Sequence, residues 1–100
     1  MSTEDVVKLL KTIKIKNIFK RSGIEHLRLF GSYAKNKANK QSDIDLLYKY
    51  NSKKDKSLWG VFSVYGHIQK DIPLAIDLVD QNIFNPKLRK DIFSSLVKIF

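Results

Sequence analysis

The sequence predicts a single α/β domain, and three patterns support this prediction. Apolar and charged residues nearly alternate over Ile24–Phe30 and again over Ile44–Tyr50, which is typical of β-strands. Apolar residues then recur at helical spacing over residues 58–72, and the apolar run at residues 74–79 predicts a third strand. Helices that alternate with strands indicate an α/β fold. No repeat or linker divides the 100 residues, so we expect one domain spanning positions 1–100.

Four more helical segments complete the predicted order. Residues 4–11 begin with acids after a Ser-Thr pair that can cap a helix, and residues 13–21 continue as one bent helix or two short ones until Gly23. Residues 33–38 are expected to form a short helix. An Asn-Pro pair at positions 85–86 opens a last helix, with proline at its first position. The expected buried stripe of that helix is Leu88, Ile92, Leu96 and Ile99.

The composition limits the classes of function. Lys and Arg total 19 against 10 Asp and Glu, and the net charge of +9 predicts attraction to nucleic acid, nucleotide or an acidic protein surface. Base-specific DNA readout favours arginine, whereas nearly all of these cations are lysines, so sequence-specific DNA binding is disfavoured. The absence of cysteine excludes disulfides, thiolate catalysis and cysteine-bound zinc. An acidic N-terminus and short apolar runs predict a cytoplasmic protein with no membrane partner.

Three aspartates stand in predicted strands, where this residue type is disfavoured. Asp43 and Asp45 are two residues apart on an extended segment, so both side chains point to one face. Asp77 interrupts an apolar run and would complete a three-carboxylate site if its strand lies beside the second strand. Such a site suits Mg²⁺, and two ions would stabilise the attacking and leaving oxygens of phosphoryl transfer. The structural alternative is a loop cap, a surface ion pair and a strand-end charge.

A Gly-Ser pair follows the first strand directly. Gly31 allows close approach of the backbone, and amides at the start of the following helix can bind phosphate, to which the Ser32 hydroxyl can add a hydrogen bond. Taken alone, the pair is only a turn signal.

The combined motif resembles that of the DNA polymerase β nucleotidyltransferase superfamily, most closely its minimal (MNT) branch. The motif consists of Gly31-Ser32, ten intervening residues and Asp43-Ile44-Asp45. Tyr33-Ala34 and Ser42, the residue before the first aspartate, also match that branch, and Asp77 matches the third carboxylate. The resemblance implies a polymerase-β-type fold, with a small mixed three-stranded sheet flanked by helices. It also implies two Mg²⁺ ions held by the three aspartates, and ATP or another nucleoside triphosphate gripped at its outer phosphates by Gly31 and Ser32.

One part of the motif departs from the family. Many relatives have Arg-Gly where this chain has Lys35-Asn36. Lys35 keeps the charge without the bidentate fork, and it either contacts nucleotide phosphates or simply belongs to a basic loop. Asn36 tolerates a left-handed backbone better than most residues, so the turn can persist.

The MNT branch resembles antitoxins that pair with HEPN ribonuclease toxins, which implies the expected function. The chain is expected to be a protein adenylyltransferase that transfers AMP from ATP to the hydroxyl group of a tyrosine on a HEPN toxin. Two alternatives remain open. One is an antitoxin that binds and masks its toxin without catalysis. The other is transfer of nucleotide to RNA or simple RNA binding, which the net charge of +9 encourages.

Overall fold

The computed structural model describes residues 1–50, 66–70, 72, 74–81, 92 and 95–100. In chain order the elements are α1 (Thr3–Leu10), α2 (Ile13–Arg21), β1 (Ile24–Phe30), α3 (Gly31–Ala34), β2 (Ile44–Tyr50), β3 (Ile76–Asp80) and β4 (Val97–Lys98). Residues 66–68 are also helical. Most of the helix predicted at 58–72, and most of the last predicted helix, fall outside the described residues.

The N-terminal helical region consists of two short helices rather than one bent helix. Ser2 caps α1 in a reciprocal capping box, because the Asp5 amide donates to Ser2 Oγ (3.1 Å) and the Ser2 amide donates to Asp5 Oδ2 (3.0 Å). Thr12 is the N-cap of α2 and lies just beyond the C-cap of α1. The buried residues of the two helices pack on the same face of the sheet, and the lysines point outward.

The described strands form a mixed sheet in the order β3-β2-β1-β4. Strand β1 is antiparallel to β2 and β4, whereas β2 and β3 are parallel. The mixed character is confirmed, and the expectation of three strands is corrected to four.

Strand β4 lies where the last helix was predicted. Val97 pairs with Leu29, and the Leu27 amide donates to the Phe100 carbonyl (2.9 Å). The spacing of Leu96 and Ile99 fits a helix, but an extended chain here satisfies backbone groups along the free edge of β1. The end of the predicted helix is therefore wrong.

The alternation of β1 and β2 determines which face is the core. Leu27, Leu29, Ile44 and Leu46 are completely buried against the helices. Their strand neighbours point to the opposite face, which carries the candidate site. None of the helices in the described part of the chain is long and apolar enough to cross a membrane.

Candidate active site

The sheet register brings the three predicted carboxylates to one corner. Asp45 on β2 lies directly opposite Asp77 on the parallel strand β3. Asp43 lies immediately before β2, two residues from Asp45, so extended backbone points both side chains to the same face. The condition for a three-carboxylate site, that the third predicted strand lies beside the second, is met. The metal-binding and catalytic roles of these residues stay predictions.

The electrostatics of this corner are unfavourable in the free protein. Three effects together raise the pKa of Asp45 to about 6: burial is the largest, followed by the negative charges of Asp77 and then Asp43. Among the described residues, no positively charged group acts on Asp45 to oppose these effects. Asp43 and Asp77 are exposed. The corner is thus a cluster of three carboxylates, and the described residues provide no cation that compensates the charge of Asp45.

The turn after β1 packs against the same carboxylate. Gly31 has a φ of +76°, a left-handed conformation that side chains rarely adopt. A Cβ at this position would overlap Asp45 Oδ2 and lie 3.0 Å from Asp45 Cγ. The Gly31 backbone therefore contacts the central aspartate of the corner, and a glycine is needed there for two separate reasons.

Helix α3 is a single turn that starts earlier and ends earlier than predicted. It covers Gly31–Ala34, whereas residues 33–38 were expected, because Asn36 takes up a left-handed φ of 59° and ends it. The Lys37 amide donates to the Ser32 carbonyl (2.8 Å), which closes this end of the turn. Thr3 Oγ1 donates to the Tyr33 carbonyl (2.5 Å) and ties the turn to α1. The expectation that Asn36 supports a left-handed turn is confirmed.

The three residues predicted to bind nucleotide lie in helix α3 or at its end. Gly31 and Ser32 are half-buried in the first turn of α3, and Gly31 touches the aspartate corner. Lys35 is the exposed C-cap of α3, and among the described contacts it makes no ion pair with the three aspartates. The position of Lys35 therefore does not decide between contact with nucleotide phosphates and simple membership of a basic loop.

The loop that leads into Asp43 contains Ser42, which belongs to the family motif, and Asn39, whose importance the sequence did not reveal. Asn39 and Ser42 hydrogen-bond to each other and to the backbone between them. The signal that could have found their interaction is an Asn and a Ser three residues apart, since both side chains readily bond nearby backbone groups.

The donor set fits a hard divalent cation. All three groups are carboxylates, which Mg²⁺ prefers, and a bound cation would offset both the burial and the repulsion between carboxylates that raise the Asp45 pKa. Within the described ranges, no three carboxylate or histidine side chains are already gathered as a metal site. The chemistry of the residues therefore suits Mg²⁺, and their side chains would have to converge on it.

Comparison with known proteins identifies the family and the fold. The family model "Polymerase beta, Nucleotidyltransferase" matches residues 13–100. Two relatives from Methanocaldococcus jannaschii each carry the name "Putative protein adenylyltransferase". One is 31% identical over 88 residues, covering 86% of this chain and 88% of the relative. The other is 28% identical over 100 residues, covering 99% and 100%.

Three solved structures share the fold. One, described as a "putative minimal nucleotidyltransferase", has a TM-score of 0.77 at 22% identity and covers 97% of this chain and 95% of its own. A toxin-antitoxin structure with AMP-PNP has a TM-score of 0.67 at 19% identity, covering 87% and 70%. A complex of MNT antitoxin with a tri-AMPylated HEPN toxin of Shewanella oneidensis has a TM-score of 0.63 at 18% identity, covering 94% and 71%.

Proposed function

The chain belongs to the polymerase β nucleotidyltransferase family, and from this membership we propose that it is a magnesium-dependent protein adenylyltransferase. It would transfer AMP from ATP to a hydroxyl of a partner protein. The observation that carries the proposal is the pairing of Asp45 with Asp77 on adjacent parallel strands, beside Asp43 and against the Gly31 turn.

Each residue of the corner has a role in this proposal. Asp43, Asp45 and Asp77 would hold two Mg²⁺ ions, which when bound supply charge neutralisation at the triphosphate. Gly31 and Ser32 bind the outer phosphates through backbone amides and the Ser32 hydroxyl. Lys35 adds a positive charge beside them.

The transfer is a single displacement at the α-phosphorus of ATP. The acceptor hydroxyl oxygen forms a bond to this phosphorus while the bond to the bridging oxygen of the β-phosphate breaks, and pyrophosphate leaves. Asp77, whose carboxylate is exposed, accepts the hydroxyl proton. No covalent enzyme intermediate is needed, so alignment and charge stabilisation provide most of the acceleration.

The acceptor we propose is a tyrosine of a HEPN-type toxin that binds this chain. Two kinds of relative support this choice. The Methanocaldococcus relatives are named for protein adenylylation, and one structural neighbour is an MNT antitoxin bound to an AMPylated HEPN toxin. The net charge of +9 would favour an acidic docking surface on the partner.

Co-expression with a candidate HEPN-type partner, followed by intact-mass analysis, tests the proposal. The partner should gain whole AMP units with the wild-type protein and with Glu25→Gln, an exposed carboxylate outside the site. It should gain none with Asp77→Asn, which removes the charge and keeps the side-chain shape. Incubation of the purified pair with α-labelled ATP and Mg²⁺ should label the partner in the same pattern. AMP transfer by Asp77→Asn at the wild-type rate would contradict the mechanism.

Masking without catalysis is the second candidate, and one observation favours it. The carboxylates of the described residues are not gathered as a ready metal site. A stable complex with no mass change would support masking. RNA is the remaining alternative, and salt-sensitive RNA affinity that survives loss of all three aspartates, without any transfer, would support simple RNA binding.

A further inference from the structure

We propose that Asn39 and Ser42 are positioning residues that hold Asp43 in place for metal binding. The proposal rests on the proposed function, because it takes Asp43 as a metal ligand. It concerns the four-residue segment from Asn39 to Ser42, called here the 39–42 turn.

Four hydrogen bonds close the 39–42 turn on itself. The Asn39 amide donates to Ser42 Oγ (2.9 Å), and Ser42 Oγ donates to Asn39 Oδ1 at a longer 3.4 Å. The Gln41 amide donates to the same Asn39 Oδ1 (2.8 Å), and the Ser42 amide donates to the Asn39 carbonyl (3.1 Å). The Asn39 and Ser42 side chains therefore bond to each other, and each also accepts a hydrogen bond from a backbone amide of the turn. A segment that is otherwise polar and mostly exposed gains a defined shape.

Asp43 is the one residue between this turn and the sheet. On its other side, the Ile44 amide donates to the Ala75 carbonyl (2.8 Å), the first bond between β2 and the chain leading into β3. The Asp43 side chain is exposed and makes no hydrogen bond among the described residues. The direction of its carboxylate therefore depends on the backbone at positions 42 to 44, which the 39–42 turn and the sheet hold from both sides.

Loss of either side chain would release one of these two anchors. Residues that orient a metal ligand typically contribute about tenfold or more to metal affinity without touching the metal. An alternative role for the 39–42 turn is to position Lys40, which lies in it, and Lys37, which precedes it, for contact with ATP. In that case loss of the turn would weaken ATP binding both with and without Mg²⁺.

The test compares Ser42→Ala and Asn39→Ala with three further variants. Ser42→Thr keeps the hydroxyl, and Asn39→Asp keeps an oxygen acceptor at Oδ1. Gln41→Ala is the matched control, because the Gln41 side chain is exposed and makes no described contact. Calorimetry measures the affinity for ATP with Mg²⁺ and with EDTA, and transfer assays measure the Mg²⁺ concentration that gives half the maximal rate.

We expect both alanine variants to bind Mg²⁺·ATP about tenfold more weakly and to need about tenfold more Mg²⁺ for half-maximal transfer. Their maximal rate should recover at high Mg²⁺. Their ATP affinity in EDTA and their melting temperature in EDTA should match wild type. The Thr, Asp and Gln41→Ala variants should behave as wild type.

Three results would overturn the inference. They are unchanged Mg²⁺ dependence in both alanine variants, an equal loss of ATP affinity in EDTA, and failure of both conservative variants to restore Mg²⁺ affinity. If wild-type protein itself neither binds Mg²⁺·ATP nor transfers AMP, the proposed function fails, and this result is separate from the other three.

Discussion

At Asp45, burial and the charges of Asp77 and Asp43 raise the pKa to about 6, so at neutral pH the free protein holds a charge that its surroundings disfavour. The sign of the effect on stability follows. The folded protein binds a proton at Asp45 more tightly than the unfolded chain, so this group favours folding below about pH 4. That contribution is lost as the pH rises from 3.8 through about 6. A side chain kept at such a cost is expected to serve binding or catalysis.

We expect Asp45→Asn to stabilise the metal-free protein at neutral pH and to abolish AMP transfer. Because solvent screens part of the repulsion, the gain should be on the order of 1 kcal/mol, or roughly 4 to 8 °C in melting temperature. Thermal melts in EDTA at pH 7.5 and pH 4 measure it, and the gain should vanish at pH 4. Glu25→Gln is the control and should show no such pH dependence. A gain that is equal at both pH values would show that the burial and repulsion of the charged Asp45 carboxylate are not its source.

We expect Gly31→Ala to lower the free energy of unfolding by at least about 2 kcal/mol. Its positive φ alone costs an alanine about 1 to 2 kcal/mol, and the new Cβ would also overlap the Asp45 carboxylate. Gly66→Ala is the matched control, because a Cβ there meets no atom within 4 Å. Urea unfolding measures both variants. Adding Asp45→Ala to Gly31→Ala removes Oδ2 and Cγ and should recover most of the overlap contribution, leaving the backbone cost and a 3.2 Å contact with the Cβ at position 45. A Gly31→Ala protein as stable as wild type would contradict the described turn.

At the level of elements, the sequence predicted β1 and β2 to the residue. Both strands alternate apolar core positions with polar ones, and Gly23 and the Gly31-Ser32 turn bound the first strand clearly. The sequence also singled out Asp77, since an aspartate within an apolar run has little structural reason to be there. The parallel register that pairs Asp45 with Asp77 depends on how the strands pack. The sequence alone could state this pairing only as a condition.

The errors share a physical cause, which is tertiary context. Strand β4 has only two residues, and its neighbours Leu96 and Ile99 have helical spacing. Pairing with the edge of β1 decides its conformation, and no local pattern reports that edge. Helix α3 was placed too late in the chain, because its start depends on the left-handed Gly31 that contacts Asp45. Local propensity contains neither kind of information.

We expect the backbone at Asn36 to decide whether the α3 turn is stable. Its φ of 59° suits asparagine and glycine, so Asn36→Gly should leave stability close to wild type. Asn36→Ala should cost about 1 to 2 kcal/mol by urea unfolding. Asn17→Ala is the control, because Asn17 is exposed in the middle of α2. Alanine there should leave the free energy of unfolding unchanged or raise it. An equal loss in the Gly and Ala variants would indicate that the Asn36 side chain, rather than its backbone, stabilises the turn.

At the scale of the whole molecule, charge is distributed unevenly. The protein carries a net charge of +9, whereas three carboxylates lie at the candidate site beside the Gly31 turn, for which we propose a phosphate-binding role. The overall field attracts ATP, but the local carboxylates repel its phosphates. A divalent cation bound between them would reverse the local repulsion. Binding of metal and nucleotide should therefore be mutually dependent.

We expect Mg²⁺ with ATP to raise the melting temperature clearly, and Mg²⁺ alone to do little, because the triphosphate supplies metal ligands that the protein lacks. At a ligand concentration 100 times the dissociation constant, binding to the folded state adds about 2.7 kcal/mol. That is a shift of roughly 10 °C or more for a domain of this size. ATP in EDTA should give a much smaller shift. In Asp43→Asn and Asp45→Asn the joint effect of metal and nucleotide should be lost, whereas Glu25→Gln should keep it. An ATP-induced shift that is the same in Mg²⁺ and in EDTA would count against a metal-dependent site and would leave the three aspartates without the role proposed for them.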